Sequence, residues 1–182
     1  MELKQHLVPK LKALRLSGIL DTLDVRTQQA IGEQWTYGDF LERLLEDEVE
    51  RRGQKQLALR VRRAALNTGK TLETFDFAFN PGLNRQQLYD LAAGHFIHEK
   101  RNVLLCGPTG VGKSHLAQAL AHEACRRGFD VVCTDAHKML RHLAGGRLDN
   151  TYERRLALYA RADLLVIDDF GLKPMHPRAC MT

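Results

Sequence analysis

The chain has 182 residues, 44% hydrophobic and 27% charged, with 14 glycines and a net charge of +5. That describes one ordinary globular domain, or a small domain with an appendage. No run approaches 18 consecutive apolar residues, so no membrane span is expected, and Met1–His6 lacks the apolar core of a signal peptide. The four cysteines (Cys106, Cys125, Cys133, Cys180) show no C-x-x-C spacing and read as reduced packing residues of a cytoplasmic protein.

Residues 1–68 read as an all-helical N-terminal domain for DNA or partner binding. Leu3, Leu7, Leu11 and Leu14 recur at helical spacing, and Ser17-Gly18 is expected to break that run before a short helix over Ile19–Ile31. Thr36 with Asp39 three residues on resembles a capping box, and Leu41, Leu44, Leu45 and Val49 mark a long helix reaching towards Leu66. Glu42–Glu50 is acidic, whereas Arg51–Lys70 holds seven cations and no acid. Arg52, Gln56, Arg60 and Arg63 share one helical face. Such a stripe can follow a phosphate backbone, meet an acidic partner or stay solvated, and nucleic-acid contact through Arg52, Arg60 and Arg63 is the sharper expectation.

Residues 69–100 read as a linker and a helix. Thr71–Gly82 alternates aromatic and small residues (Phe75, Phe77, Phe79), and its rings are expected to tack the linker onto a neighbouring surface, near a nucleotide base. A helix follows over Asn84–Leu91 and ends at Ala93-Gly94. From Asn102 the pattern alternates: strand 102–106, helix 113–127, strand 129–134, helices 135–143 and 149–161 on either side of Gly145-Gly146, and strand 163–168. This rhythm predicts an α/β fold, a parallel sheet covered by helices, over 101–174. An irregular tail, 175–182, closes the chain.

Inside that core, Gly107-Pro108-Thr109-Gly110-Val111-Gly112-Lys113-Ser114 has the spacing G-x-x-x-x-G-K-S of a phosphate-binding loop, between an apolar strand and a helix. A polyphosphate is held by backbone N–H groups, so the chain must approach it closely, and the glycines allow that. The following helix adds unpaired N–H groups and a positive dipole end. Lys113 is placed to reach the β- and γ-phosphates of ATP, and the Ser114 hydroxyl to ligate Mg²⁺. Asp163–Asp169 supplies the second half: an apolar strand ending in Asp168-Asp169, 54 residues beyond Ser114. Asp168 is placed to hold Mg²⁺ through water, and Asp169 to orient or deprotonate the attacking water. His95-x-x-His98 and the pair His137 and His142 have ligand-like spacings, but no acid or cysteine completes a metal set.

The loop 104–114, the segment Leu164–Leu172 (reading VIDDFGL from Val166), the helical leader and the Phe-Asp-Phe linker together resemble the IstB-like ATPases, over about residues 5–174. These are helper proteins of insertion-sequence transposition in the AAA+ group, similar to DnaC-type helicase loaders. The resemblance implies a P-loop AAA+ core, ATP-dependent assembly on DNA, contact with a transposase and a homo-oligomer when full length. By that analogy Lys113 and Ser114 are the phosphate and Mg²⁺ residues, and Asp168 and Asp169 the Walker B pair. A helicase loader of replication is the alternative; a small-molecule P-loop kinase leaves the basic leader without a role. The family continues beyond the Walker B strand with a sensor strand, an arginine and further helices. The tail Leu172–Thr182 shows no such pattern, so a truncated or frame-shifted copy is expected, binding ATP with impaired hydrolysis.

Overall fold

The computed structural model describes residues 2–78 and 80–171. The expected tail over 175–182 and the Phe79 ring lie outside the described residues. The chain divides into two compact units, 1–58 and 59–182.

The first unit contains α1 (Glu2–Ala13), α2 (Ser17–Glu33) and most of α3 (Tyr37–Arg63). Leu11, Ile19, Leu23 and Leu44 form its buried centre, with Leu7, Leu16, Leu20 and Phe40 against them. Ser17-Gly18 does not break a helix here. The break falls at Arg15, which has φ 57°, and Ser17 and Gly18 open α2. Gly18 is required by the crossing of α2 over α3: a Cβ there would stand 2.7 Å from Glu48 Cα and 2.8 Å from the Asp47 carbonyl. The close approach lets the buried Glu48 carboxylate accept from the N–H groups of Gly18 (2.5 Å) and Ile19 (3.4 Å), so α3 caps α2. Burial raises the pKa of that carboxyl, but the Arg52 guanidinium and the two N–H groups outweigh it and leave the pKa lowered. Arg26 grips Asp47 with two hydrogen bonds (2.8 and 2.6 Å), and Arg51 pairs with Asp21. The capping box at the start of α3 is present: Thr36 N donates to Asp39 Oδ2 at 3.1 Å, and Asp39 N to Thr36 Oγ1 at 3.2 Å.

The second unit is built on α6 (Lys113–Arg126), whose buried residues include Leu116, Ala119, Leu120 and Cys125. The linker lies along α6, and α4 (Arg85–Ala92) packs beside it, so that Leu72, Phe75, Leu88, Ala92, Leu116, Ala119 and Leu120 form one core. Asn84 caps α4 by accepting from Gln87 N at 3.1 Å, and a short turn, α5 (His95–His98), follows. β1 (Val131–Asp135) and β2 (Leu164–Asp168) pair in parallel, Val131 opposite Leu164 and Asp135 opposite Asp168. They are joined by α7 (Ala136–Leu148) and α8 (Tyr152–Ala160). This small parallel sheet with many helices fits an α/β fold.

Two expectations need correction. Gly145-Gly146 does not end a helix, because α7 runs through both residues. A Cβ on Gly146 would lie 2.9 Å from Tyr152 Cα and from Arg155 Cδ, so this glycine lets α8 come close. The strand expected over 102–106 is not formed: the sheet among the described residues has two strands, and this segment pairs with neither. A strand is defined by its ladder, and here only Leu105 reaches the core, while Val103 and Leu104 are 38% and 83% exposed. Among the described residues no helix is long and apolar enough to cross a membrane.

Candidate functional site

The loop between residues 106 and 113 turns from the extended segment into α6 through glycines that adopt positive φ. Gly110 has φ 87° with open space around it, so its requirement is conformational. Gly112, the cap of α6, has φ 90° and is constrained twice: a Cβ there would meet Phe75 Cε2 at 2.8 Å and Cζ at 3.2 Å. Gly107, Pro108 and Thr109 are exposed and Val111 is half-buried. No side chain caps α6, so its first N–H groups face the loop. Lys113 Nζ donates to the Pro108 carbonyl at 2.7 Å, which draws the ammonium back over the loop.

Ser114 Oγ donates to Asp168 Oδ1 at 2.9 Å. This contact joins the first turn of α6 to the last residue of β2, across 54 positions of sequence. Asp168 Oδ1 also accepts from Asp169 N at 3.0 Å. Asp169 itself is exposed, in the left-handed region at φ 54°, which a short polar side chain tolerates. Ser114 and Asp168 are therefore brought together, with Lys113 beside them, and Asp169 stands at the rim. The donor set suits Mg²⁺, since a hydroxyl and a carboxylate are hard oxygen ligands. Among the described residues no group of three or more His, Cys, Asp or Glu is assembled for a metal. Of the histidines with ligand-like spacing, His142 Nδ1 is bonded to Tyr159 Oη at 2.8 Å, and His98 packs on Phe129 with ring centroids 4.9 Å apart.

The support behind the loop comes from a stripe of polar residues on α6 to which the motif spacing assigns no role. His115 Nε2 meets the Thr71 carbonyl at 2.9 Å, Gln118 Oε1 accepts from Asn67 N at 3.2 Å, and His122 Nε2 meets the Asn67 carbonyl at 2.9 Å. Arg126 pairs with Glu73 at 2.5 Å and holds that carboxyl down at about 2. Positions 115, 118, 122 and 126 share one helical face, a signal visible in the sequence. Phe75 sits between Phe77 (5.1 Å) and His115 (5.2 Å) as it packs on Gly112. Phe75 and Phe77 are thus fastened to the helix that carries the loop. Phe77 also stacks on Tyr89 at 6.2 Å, and the Arg85 guanidinium carbon lies 4.7 Å from the centre of the Phe77 ring.

The basic stripe is not uniform. Arg52, in the first unit, donates to Glu48 Oε1 at 2.6 Å and to the Arg15 carbonyl at 3.3 Å. Arg60 and Arg63 belong to the second unit, Arg60 half-buried and close to Gly128, Arg63 exposed.

Residues 9–181 match the family described as IstB-like ATP binding protein. A provisionally named ATP-binding protein in an insertion sequence of Mycobacterium tuberculosis is 43% identical over 163 residues, 90% of this chain and 65% of the relative. The provisionally named ATP-binding protein of insertion sequence IS21 from Pseudomonas aeruginosa is 35% identical over 170 residues, 93% of this chain and 63% of the relative. That of IS232 from Bacillus thuringiensis is 30% identical over 173 residues, 95% of this chain and 69% of the relative. The chain spans about two thirds of the length of these curated relatives. It belongs to the IstB-like ATP binding protein family.

Proposed function

We propose that this chain binds ATP with Mg²⁺ at the loop Gly107–Ser114 and serves as an ATP-dependent, DNA-binding helper of insertion-sequence transposition, acting with a transposase. The observation that carries the nucleotide reading is the 2.9 Å contact between Ser114 Oγ and Asp168 Oδ1, which unites two motifs far apart in sequence. In this reading the loop N–H groups and the start of α6 cradle the phosphates. Lys113 exchanges the Pro108 carbonyl for phosphate oxygens, a stronger, charge-assisted partner. Ser114 and Asp168 hold Mg²⁺, and Asp169, exposed at the rim, is free to orient a water. The chemistry the ion supplies when bound is neutralisation of charge between the β- and γ-phosphates. That the relatives belong to insertion sequences supports the setting; the exposed Arg63 and the half-buried Arg60 are the offered phosphate contacts on DNA.

The test is the Mg²⁺ dependence of ATP affinity in the parent, Ser114→Ala and Asp168→Asn. The reading expects Mg²⁺ to tighten ATP binding by the parent and to lose most of that effect in both variants, with binding in excess chelator little changed. Full Mg²⁺ dependence in both variants would overturn it.

A further inference from the structure

The acidic first half of α3 carries a surface that the nucleotide site does not use. Leu41, Leu45 and Val49 follow one another at four-residue steps, so they stand in one row on the helix. They are 56%, 48% and 70% exposed, while Leu44 and Glu48 of the same helix are buried in the first unit. Three aligned apolar side chains form a contiguous patch rather than scattered surface residues. Alongside runs a second row at the same spacing: Glu42, Glu46 and Glu50. The surface between the rows, with Gly38 at its upper end, is open along these six residues. The carboxylates are lightly engaged within the chain: Glu46 meets Arg43 only at 3.9 Å, and Glu50 accepts from Gln54 Nε2 at 3.1 Å.

We infer that this face of α3 docks a basic amphipathic helix of a partner protein. The geometry suits a helix, because the furrow between two rows at four-residue spacing is the surface into which the ridge of another helix fits. The chemistry selects the partner's charge. An apolar ridge buries Leu41, Leu45 and Val49, and lysines or arginines flanking that ridge meet Glu42, Glu46 and Glu50. A second copy of the same face is a poor occupant. In an antiparallel two-fold pairing both acidic rows fall on one side, and like charges oppose each other. The inference is independent of nucleotide, and its test is run without any.

The probe is a fluorescent synthetic 20-residue amphipathic helix with a leucine stripe flanked by lysines, titrated with the full chain; a second peptide keeps the stripe and replaces lysine with glutamate. Binding of the lysine peptide is expected, at least tenfold tighter than of the glutamate peptide, and weakened at least tenfold by Leu45→Asp and by the triple change Glu42→Lys, Glu46→Lys, Glu50→Lys. The altered side chains are exposed, and circular dichroism of each variant should match the parent. Equal binding of the two peptides, or retention of binding by both variants, overturns the inference. So does concentration-dependent dimerisation of the parent that Leu45→Asp abolishes, which would assign the face to a second copy.

Discussion

Gly112→Ala probes the packing of the linker on the loop most sharply, because the structure opposes the new methyl group in two separate ways. At φ 90° an L-residue is strained by about 1–2 kcal/mol relative to glycine. The added Cβ also stands 2.8 Å from Cε2 of the buried Phe75, whose ring is hemmed in by Phe77 and His115, and overpacking of this kind costs about 1–3 kcal/mol. Together the loss is about 2–5 kcal/mol, a drop in urea midpoint on the order of 1–2 M. Phe75→Leu in the same background removes the collision but leaves the backbone strain. The double variant should then be more stable than the sum of the two single losses predicts, by about 0.5–3 kcal/mol. Urea denaturation of the four proteins measures this cycle. Additive losses, or a Gly112→Ala protein within about 0.5 kcal/mol of the parent, would refute the packing of Phe75 on the loop.

Gly18→Ala should destabilise the first unit by about 1–3 kcal/mol or more, since its methyl meets α3 backbone rather than a movable side chain; thermal unfolding checks this. The Asp47 carboxyl is held down at about 2, first by its hydrogen bond to Arg26. Its folded pKa lies below the ordinary carboxylate value, so its contribution to stability is complete above about pH 4 and is lost as pH falls towards 2. Urea midpoints of the parent should therefore fall across that window more steeply than those of Asp47→Asn. For DNA, Arg60→Ala with Arg63→Ala should flatten the slope of log K against log salt by about 0.9 for each phosphate left without its arginine. Arg52→Ala should instead lower the stability of the first unit, because it leaves the buried Glu48 without its cation.

The loop is legible in the sequence as a candidate phosphate site because such a site calls for residue types at fixed spacing. Helices with sharp signals were equally legible: Thr36 with Asp39 formed its capping box, and Asn84 capped α4. What misled was glycine. Gly18 and Gly145-Gly146 read as breakers, yet each sits within a helix, Gly18 and Gly146 because the backbone of another helix comes too near for a side chain. Single-sequence periodicity cannot distinguish these uses, since what demands glycine is a tertiary approach, of Glu48 to Gly18 and of Tyr152 to Gly146. The apolar run Val103–Cys106 misled for a related reason. Its composition suits a strand, but a strand needs a ladder partner, and none of the described residues supplies one. Arg52 looked like one more member of a basic stripe; only the fold shows that the buried Glu48 claims it.

The central claim is that Lys113 and the loop around it hold the phosphates of ATP. Thermal unfolding of the parent and of Lys113→Ala, with and without saturating ATP and Mg²⁺, tests it most directly. At about 100 times its Kd the nucleotide should stabilise the parent by about 2.7 kcal/mol. This upward shift in Tm should disappear or shrink severely in Lys113→Ala, while the two proteins unfold alike without nucleotide. An equal shift in both would contradict it.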